Sequence, residues 1–283
     1  MKLELRHLEK TYRLRQGAVR ALGPISFTVG DGEFVSLVGP SGCGKSTSLY
    51  LVAGLDDPTG GEIFLDDERV TGPGRDRGMV FQNYTLFPWL TVLENTRFSF
   101  QLEQNRDYSL TSSEVMTRVG RAYCLLDLMG LTKFYDAYPK ELSGGMKQRV
   151  AIARALVNKP KVLLMDEPFG ALDAQTREEM QELLFLLGAH EKTSTLFVTH
   201  DVEEAIYLST RILVFSTRPG RIQKEITVPF GDERPLSIKN SVEFSRMKRD
   251  ILDLLHASQP DTFDRPSLLR KLVRKEPATT LQS

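Results

Sequence analysis

Between Leu3 and Val228 the chain alternates short apolar runs with stretches of helical spacing. Leu3, Leu5 and Leu8 stand among charged neighbours and read as an edge strand; Val19–Val29, interrupted at Gly23-Pro24, reads as its partner across the polar hairpin Arg13–Gly17. Phe34–Val38 is a continuous apolar run, as a strand buried on both faces is, and Val162–Met165 and Thr195–Val198 read as further buried strands. Gly60-Gly61 introduces another strand, Glu62–Leu65, which turns at Asp66-Asp67, and Gly78–Gln82 is a short strand ending in a polar residue. Ile212–Phe215 and Arg221–Val228 close the series around Arg218-Pro219-Gly220.

Helical spacing predicts Ser48–Ala53, ended by Gly54, and a helical stretch from Val92 to about Leu131 with a polar surface loop at Glu103–Ser113. Ser143 caps a helix in which Met146, Val150, Ala153 and Val157 share one face until Pro160. Thr176–Gly188 turns Met180, Leu183, Leu184 and Leu187 inward. Strands that alternate with helices predict an α/β chain with a parallel sheet, joined to an antiparallel part and an all-helical insertion. Beyond Pro235 the pattern changes. Phe244, Met247, Ile251, Leu254 and Leu255 make an amphipathic helix, and the residues from Ser258 are rich in Pro, Ser and charge. Arg270, Lys271, Arg274 and Lys275 surround a few apolar positions, a pattern open to a solvated helix or to a membrane or partner contact.

Composition narrows the classes. Hydrophobic residues at 41% and charged residues at 26% of 283 are ordinary for a soluble globular protein. Lys+Arg 37 balances Asp+Glu 37, which provides no electrostatic argument for nucleic acid as a partner. Two cysteines, Cys43 and Cys124, argue for a reducing compartment rather than a disulfide framework. The charged start MKLELRHLEK is not a signal peptide, and no apolar stretch approaches the ~20 residues of a membrane span. The expectation is a cytoplasmic chain whose membrane connection, if any, is through a partner.

The chemistry is concentrated at Phe34–Thr47. There Gly39-Pro40-Ser41-Gly42-Cys43-Gly44-Lys45-Ser46-Thr47 fits G-x-x-x-x-G-K-[ST] between a strand and a helix, the context in which this pattern is a phosphate-binding P-loop. Backbone N–H groups of the loop and the helix N-terminus can cradle a triphosphate, Lys45 can reach the β and γ phosphates, and Ser46 can ligate Mg²⁺. Asp166, at the end of an apolar strand, can hold Mg²⁺ through its water shell, and Glu167 is placed to polarise a water. His200 ends the next strand and can donate to a γ-phosphate. Ser143-Gly144-Gly145 opens a helix with two poor helix formers, read either as a plain glycine-containing cap or, given the phosphate loop, as a second anion site. Tyr12 is read either as packing on the sheet or as stacking on an adenine. Leu86, Phe87, Trp89 and Leu90 crowd around Pro88, either as core or as a surface offered to another protein. Cys43 raises the question of thiol oxidation within the loop.

The P-loop, LSGGM and VLLMDEP, in that order, make the chain resemble the ATP-binding cassette (ABC) family of transporter ATPases over Leu3–Val228. The resemblance implies a RecA-like P-loop NTPase core, an antiparallel β-subdomain and an inserted α-helical subdomain at about 91–158, all within an ATPase domain at 1–232 followed by a C-terminal helical extension and flexible tail at 233–283. It also implies roles. Tyr12 matches the adenine-stacking aromatic, Gln82 the glutamine that senses Mg²⁺ and the attacking water, Glu167 the catalytic base and His200 the switch histidine. Ser143, Gly144 and Gly145 match the signature that caps the γ-phosphate of ATP bound to the opposing subunit, and Asp173 the loop crossing that interface. Two chains packed head to tail would complete two sites, with ATP and Mg²⁺ as cofactors.

FQNYTLFPWLTVLENT, YPKELSGGMKQR and STRPGRI look like the importer ATPases for nitrate, sulfonate, taurine and bicarbonate. The family receives a membrane permease at Phe87-Pro88-Trp89, which favours the interface reading there, puts the chain on the cytoplasmic face of the inner membrane, and leaves the choice of solute to a separate binding protein. A soluble cassette ATPase linked to nucleic acid is the alternative, and a P-loop kinase would have no use for LSGGM.

Overall fold

The computed structural model describes residues 2–15, 17–101, 112–231 and 233–257. The loop expected at Glu103–Ser113 lies outside these as far as 111, and a helix is already under way at Ser112. The basic segment at Arg270–Lys275 lies outside them entirely.

Two sheets organise the described residues. Strands β1 (Leu3–Leu14), β2 (Gly17–Val29), β4 (Gly60–Leu65) and β5 (Glu68–Arg69) form an antiparallel sheet in the order β2-β1-β4-β5. The edge position expected for β1 is therefore corrected: it pairs Leu3 with Val29 of β2 and with Leu65 of β4. The alternation of buried Leu3 and Leu5 with the more exposed Glu4 and Arg6 comes from a sheet with one covered face, which an interior strand shows as well as an edge strand does.

The second sheet has six strands, β6 (Arg77–Val80), β7 (Val162–Asp166), β8 (Ser194–Thr199), β3 (Phe34–Val38), β9 (Arg211–Phe215) and β10 (Ile222–Thr227), in the order β10-β9-β3-β8-β7-β6. All pairs but β10–β9 are parallel. Every residue of β3, β7 and β8 is buried, which is why these segments read as unbroken apolar runs. Their side chains still alternate. Val35 and Leu37 join Leu164, Val198 and Leu49 in the core beneath the antiparallel sheet, whereas Phe34 and Val38 join Met165 and Phe197 in the core under the helices.

The α-helices among the described residues are α1 (Lys45–Ala53), α2 (Val92–Arg97), α3 (Ser112–Leu128), α4 (Gly144–Leu156), α5 (Ala174–Glu191), α6 (Val202–Leu208) and α7 (Val242–Ala257). Val150, Ala153 and Val157 in and after α4, and Met180, Leu184 and Leu187 of α5, are buried as their spacing predicts. Helix α7 seats Phe244 and Ile251 in the same core, and Phe244 stacks on Phe230 at 6.0 Å. Among the described residues no helix is long and apolar enough to cross a membrane.

Candidate functional site

The parallel strands end on one side of the sheet, where a strand-to-helix crevice is the usual ligand position of such folds. The loop after β3 lies there. Gly44 precedes α1 in the left-handed region (φ 96°) and offers no side-chain cap, and no acidic residue stands in the first turn, so the first N–H groups of α1 have no side-chain acceptor of their own. That unclaimed helix N-terminus fits a polyphosphate. Lys45 is buried, and its Nζ donates to Gly39 O at 2.7 Å and Pro40 O at 3.1 Å, which folds the amine over the loop. The turn between β9 and β10 supports the loop from behind. Gly220 N donates to Ala21 O at 3.1 Å, and a Cβ on Gly220 would stand 1.9 Å from Cys43 O. Gly220→Ala is expected to displace the loop and weaken polyphosphate affinity by about tenfold or more; titration with a fluorescent polyphosphate ligand checks this, and unchanged affinity would mean that the turn does not set the loop.

Cys43 is 1% exposed and its thiol is pushed up by burial, partly offset by Lys45. Those surroundings hold it as an inert thiol, contrary to the oxidation raised by its position in the loop.

Ser46 Oγ donates to Asp166 Oδ1 at 2.7 Å. Burial raises the Asp166 carboxyl, against the pull of hydroxyls from Ser46 and Tyr50, so an acid at the end of β7 stands in a setting that a cation would relieve. Glu167 follows in the left-handed region (φ 44°), with its N–H donating to Val198 O at 2.9 Å. This uncommon backbone for a side chain with a Cβ turns its carboxylate out of the sheet. Glu167 Oε2 accepts from Gln82 Nε2 at 3.4 Å and lies 3.1 Å from His200 Nδ1, so two residues that follow the parallel strands β6 and β8 converge on the carboxylate that follows β7 between them. Tyr12 donates to Asp56 Oδ2 at 2.9 Å and carries Lys10 Nζ 5.0 Å above its ring, which orients the ring at the edge of this region.

The structure does not bring Ser143, Gly144 and Gly145 into this cluster. Ser143 Oγ accepts from Met146 N at 3.3 Å as the cap of α4, and among the described residues no hydrogen bond joins it to the loop after β3. The oddity of Gly145 has a packing cause: a Cβ there would stand 2.4 Å from Thr176 Cγ2 of α5. Asp173 caps α5 by accepting from Thr176 N at 3.0 Å, and this bond holds its carboxyl below the usual range. The cap of α4 and the cap of α5 are thus neighbours, forming a surface apart from the carboxylate cluster.

The segment between Gln82 and Leu90 joins the two regions. Arg154 of α4 donates to Thr85 O at 2.8 Å and Tyr84 O at 3.2 Å, and Asn95 Nδ2 binds the carbonyls of Phe87, Leu90 and Thr91. Phe87 packs on Phe98 at 4.3 Å, whereas Trp89 is 69% exposed. Leu86 packs against the core, whereas the half-buried Phe87 ring lies between Phe98 and the exposed Trp89, whose ring is 5.6 Å from it. Sequence reading missed Arg154 and Asn95, whose polar side chains are spent on backbone carbonyls that only the folded loop presents.

A family model described as ABC transporter matches residues 22–170. The chain is 49% identical over 267 residues to the nitrate import ATP-binding protein NrtD of Synechocystis sp., covering 92% of this chain and 97% of the relative. It is 45% identical over 254 residues to the aliphatic sulfonates import ATP-binding protein SsuB of Bacillus cereus, covering 89% and 95%. Among solved structures, it superposes with a TM-score of 0.69 and 34% identity on the dimeric post-hydrolysis state of the ATP-binding cassette MJ0796 bound to ADP and Pi, covering 81% of this chain and all of that one.

Proposed function

The chain belongs to the ABC transporter family, and on that premise we propose that it is the ATP-hydrolysing subunit of an importer for a small anion, of the nitrate or sulfonate class. Likeness to the two import subunits over nearly their whole length supports the cargo class; the convergence of Gln82 and His200 on Glu167 beside Lys45 and Ser46 supports the chemistry.

In this reading the P-loop from Gly39 to Thr47 binds the phosphates of ATP, Lys45 neutralises the β and γ phosphates, and Tyr12 stacks on the adenine. The oxygens of Ser46 and Asp166 fit Mg²⁺, with Gln82 as a further ligand, and the ion would supply charge neutralisation at the phosphates. Glu167 accepts the proton of the attacking water, and His200 donates to the γ-phosphate. Ser143, Gly144 and Gly145 of a second copy close over the same ATP, with Asp173 at the interface, so that binding draws two chains together and hydrolysis parts them. A dimeric cassette with ADP and Pi is the state in which the solved relative is described.

Exposed Trp89, on a loop held by buried Asn95, is the contact for a transmembrane permease on the cytoplasmic face of the membrane. A solute-binding protein acts on the far side of that permease. The test is recovery of the permease with the tagged full chain from detergent-solubilised membranes. Trp89→Ala should leave ATP binding intact and lower the recovered permease by about tenfold, on the scale of an interface anchor; equal recovery would remove Trp89 from the interface.

A further inference from the structure

Glu204 of α6 is 5% exposed and has no part in the chemistry above. Its place four residues beyond His200 gives it a hold on that residue. Glu204 Oε2 accepts from Thr199 Oγ1 at 2.6 Å, and the same hydroxyl oxygen accepts from Asp201 N at 3.0 Å, so the two neighbours of His200 are fastened to each other and to Glu204. Asp201 carries the link into α6 by accepting from Glu203 N at 2.8 Å and Glu204 N at 3.4 Å.

The other carboxylate oxygen faces α5. Glu204 Oε1 accepts from Gln181 Nε2 at 3.4 Å, and Gln181 Oε1 accepts in turn from Lys239 Nζ at 2.8 Å. Arg177 Nε lies 3.9 Å from Glu204 Oε1 and is buried with no hydrogen-bond partner. Its Nη2 donates to Leu172 O at 2.9 Å, and its backbone N–H donates to Asp173 O at 2.9 Å. Arg177 thereby grips the segment that carries Asp173. A shift of less than about 1 Å would turn its unpaired N–H and Glu204 into a charge-assisted hydrogen bond. Burial pushes the Glu204 carboxyl up to about 7, with the Thr199 hydroxyl and Arg177 opposing and Asp201 reinforcing the rise.

We propose that Glu204 is a positioning residue that couples the segment bearing Asp173 to the segment bearing His200, through Arg177 on one side and Thr199 on the other. Movement of the Asp173 segment when a second copy docks is then transmitted to His200 inside its own chain. The inference rests on the roles given to Asp173 and His200 under the proposed function.

Steady-state ATP hydrolysis by the purified full chain tests it. Glu204→Gln should lower kcat roughly tenfold, the scale of a sub-ångström misplacement of a catalytic group, while KM for ATP stays within about twofold. Thr199→Val should do the same, and Thr199→Ser, which keeps the hydroxyl, should retain wild-type kcat. Arg177→Met combined with Glu204→Gln should be no slower than the slower single variant, because both cut one path. Wild-type kcat in both Glu204→Gln and Thr199→Val, a rise in KM matching the fall in rate, or losses that multiply in the double variant would each overturn the coupling. A wild-type chain that hydrolyses ATP, with Glu204→Gln and Thr199→Val equally fast, would fail this inference alone; a wild-type chain without hydrolysis would fail the functional reading beneath it.

Discussion

Glu167→Gln should stop steady-state ATP turnover, lowering kcat by roughly 10²- to 10⁴-fold, while ATP-bound dimer accumulates. The substitution replaces a carboxylate that can take a proton with an amide of the same shape that cannot. Its neighbours support the separation of chemistry from binding. Gln82 Nε2 and His200 Nδ1 both approach Glu167 Oε2, and an amide oxygen can still meet them, so the left-handed turn at Glu167 and the loop holding Lys45 are left in place. Phosphate release measures the rate, and sedimentation with Mg²⁺ and ATP measures the dimer. Hydrolysis at the wild-type rate would take the base role away from Glu167. Loss of ATP binding together with turnover would mean that the residue shapes the nucleotide site instead.

Gly145→Asp is the second large effect. Even the Cβ of the new side chain would stand 2.4 Å from Thr176 Cγ2, so the Thr176 side chain or α4 itself must shift, and the added carboxylate would repel a phosphate approaching the cap at Ser143. Turnover should fall by at least about 100-fold, the loss typical of removing one set of donors from a charged transition state. Binding of one ATP to the P-loop of the same chain should persist, because among the described residues no hydrogen bond joins Ser143, Gly144 or Gly145 to that loop. Equilibrium dialysis with labelled ATP and a turnover assay separate the two quantities; equal losses in both would mean that the helix is needed merely for folding.

These effects sit at positions of unequal legibility in the chain. The strands β3, β7 and β8 could be read because burial on both faces leaves them mostly apolar, with no alternation of charged positions to confuse them. The meeting of the loop at Ser46 with Asp166 could be read because a glycine-rich strand-to-helix turn and an acid at the end of a buried strand come to the same edge of a parallel sheet. Strand β1 was misplaced because alternation reports how many faces of a sheet are covered and says nothing of how many neighbours a strand has. Gly145 was visible as an anomaly, but its packing cause was not, since Thr176 meets it across helices 31 positions apart in sequence. Glu204 was hidden for a related reason. An acid in the first turn after a capping Asp reads as a solvated partner of the helix dipole, and only the packing of α5 over α6 buries it. Leu86 and Trp89 shared one ambiguous segment, in which the fold packs Leu86 against the core and leaves Trp89 exposed beside the half-buried Phe87.

The central claim is that each ATP site is assembled from two chains, one giving the P-loop and the other the cap at Ser143. Mixing Lys45→Ala chains with Gly145→Asp chains tests it most directly. Each variant alone has no complete site, whereas a mixed dimer has one, formed by the intact P-loop of the Gly145→Asp chain and the intact cap of the Lys45→Ala chain. With equal amounts of each, hydrolysis should reappear in the mixture at about a quarter of the wild-type rate, since about half of the dimers are mixed and each holds one of its two sites intact. A mixture as inactive as its separate components, or a Gly145→Asp chain that hydrolyses ATP on its own at the wild-type rate, would contradict the account.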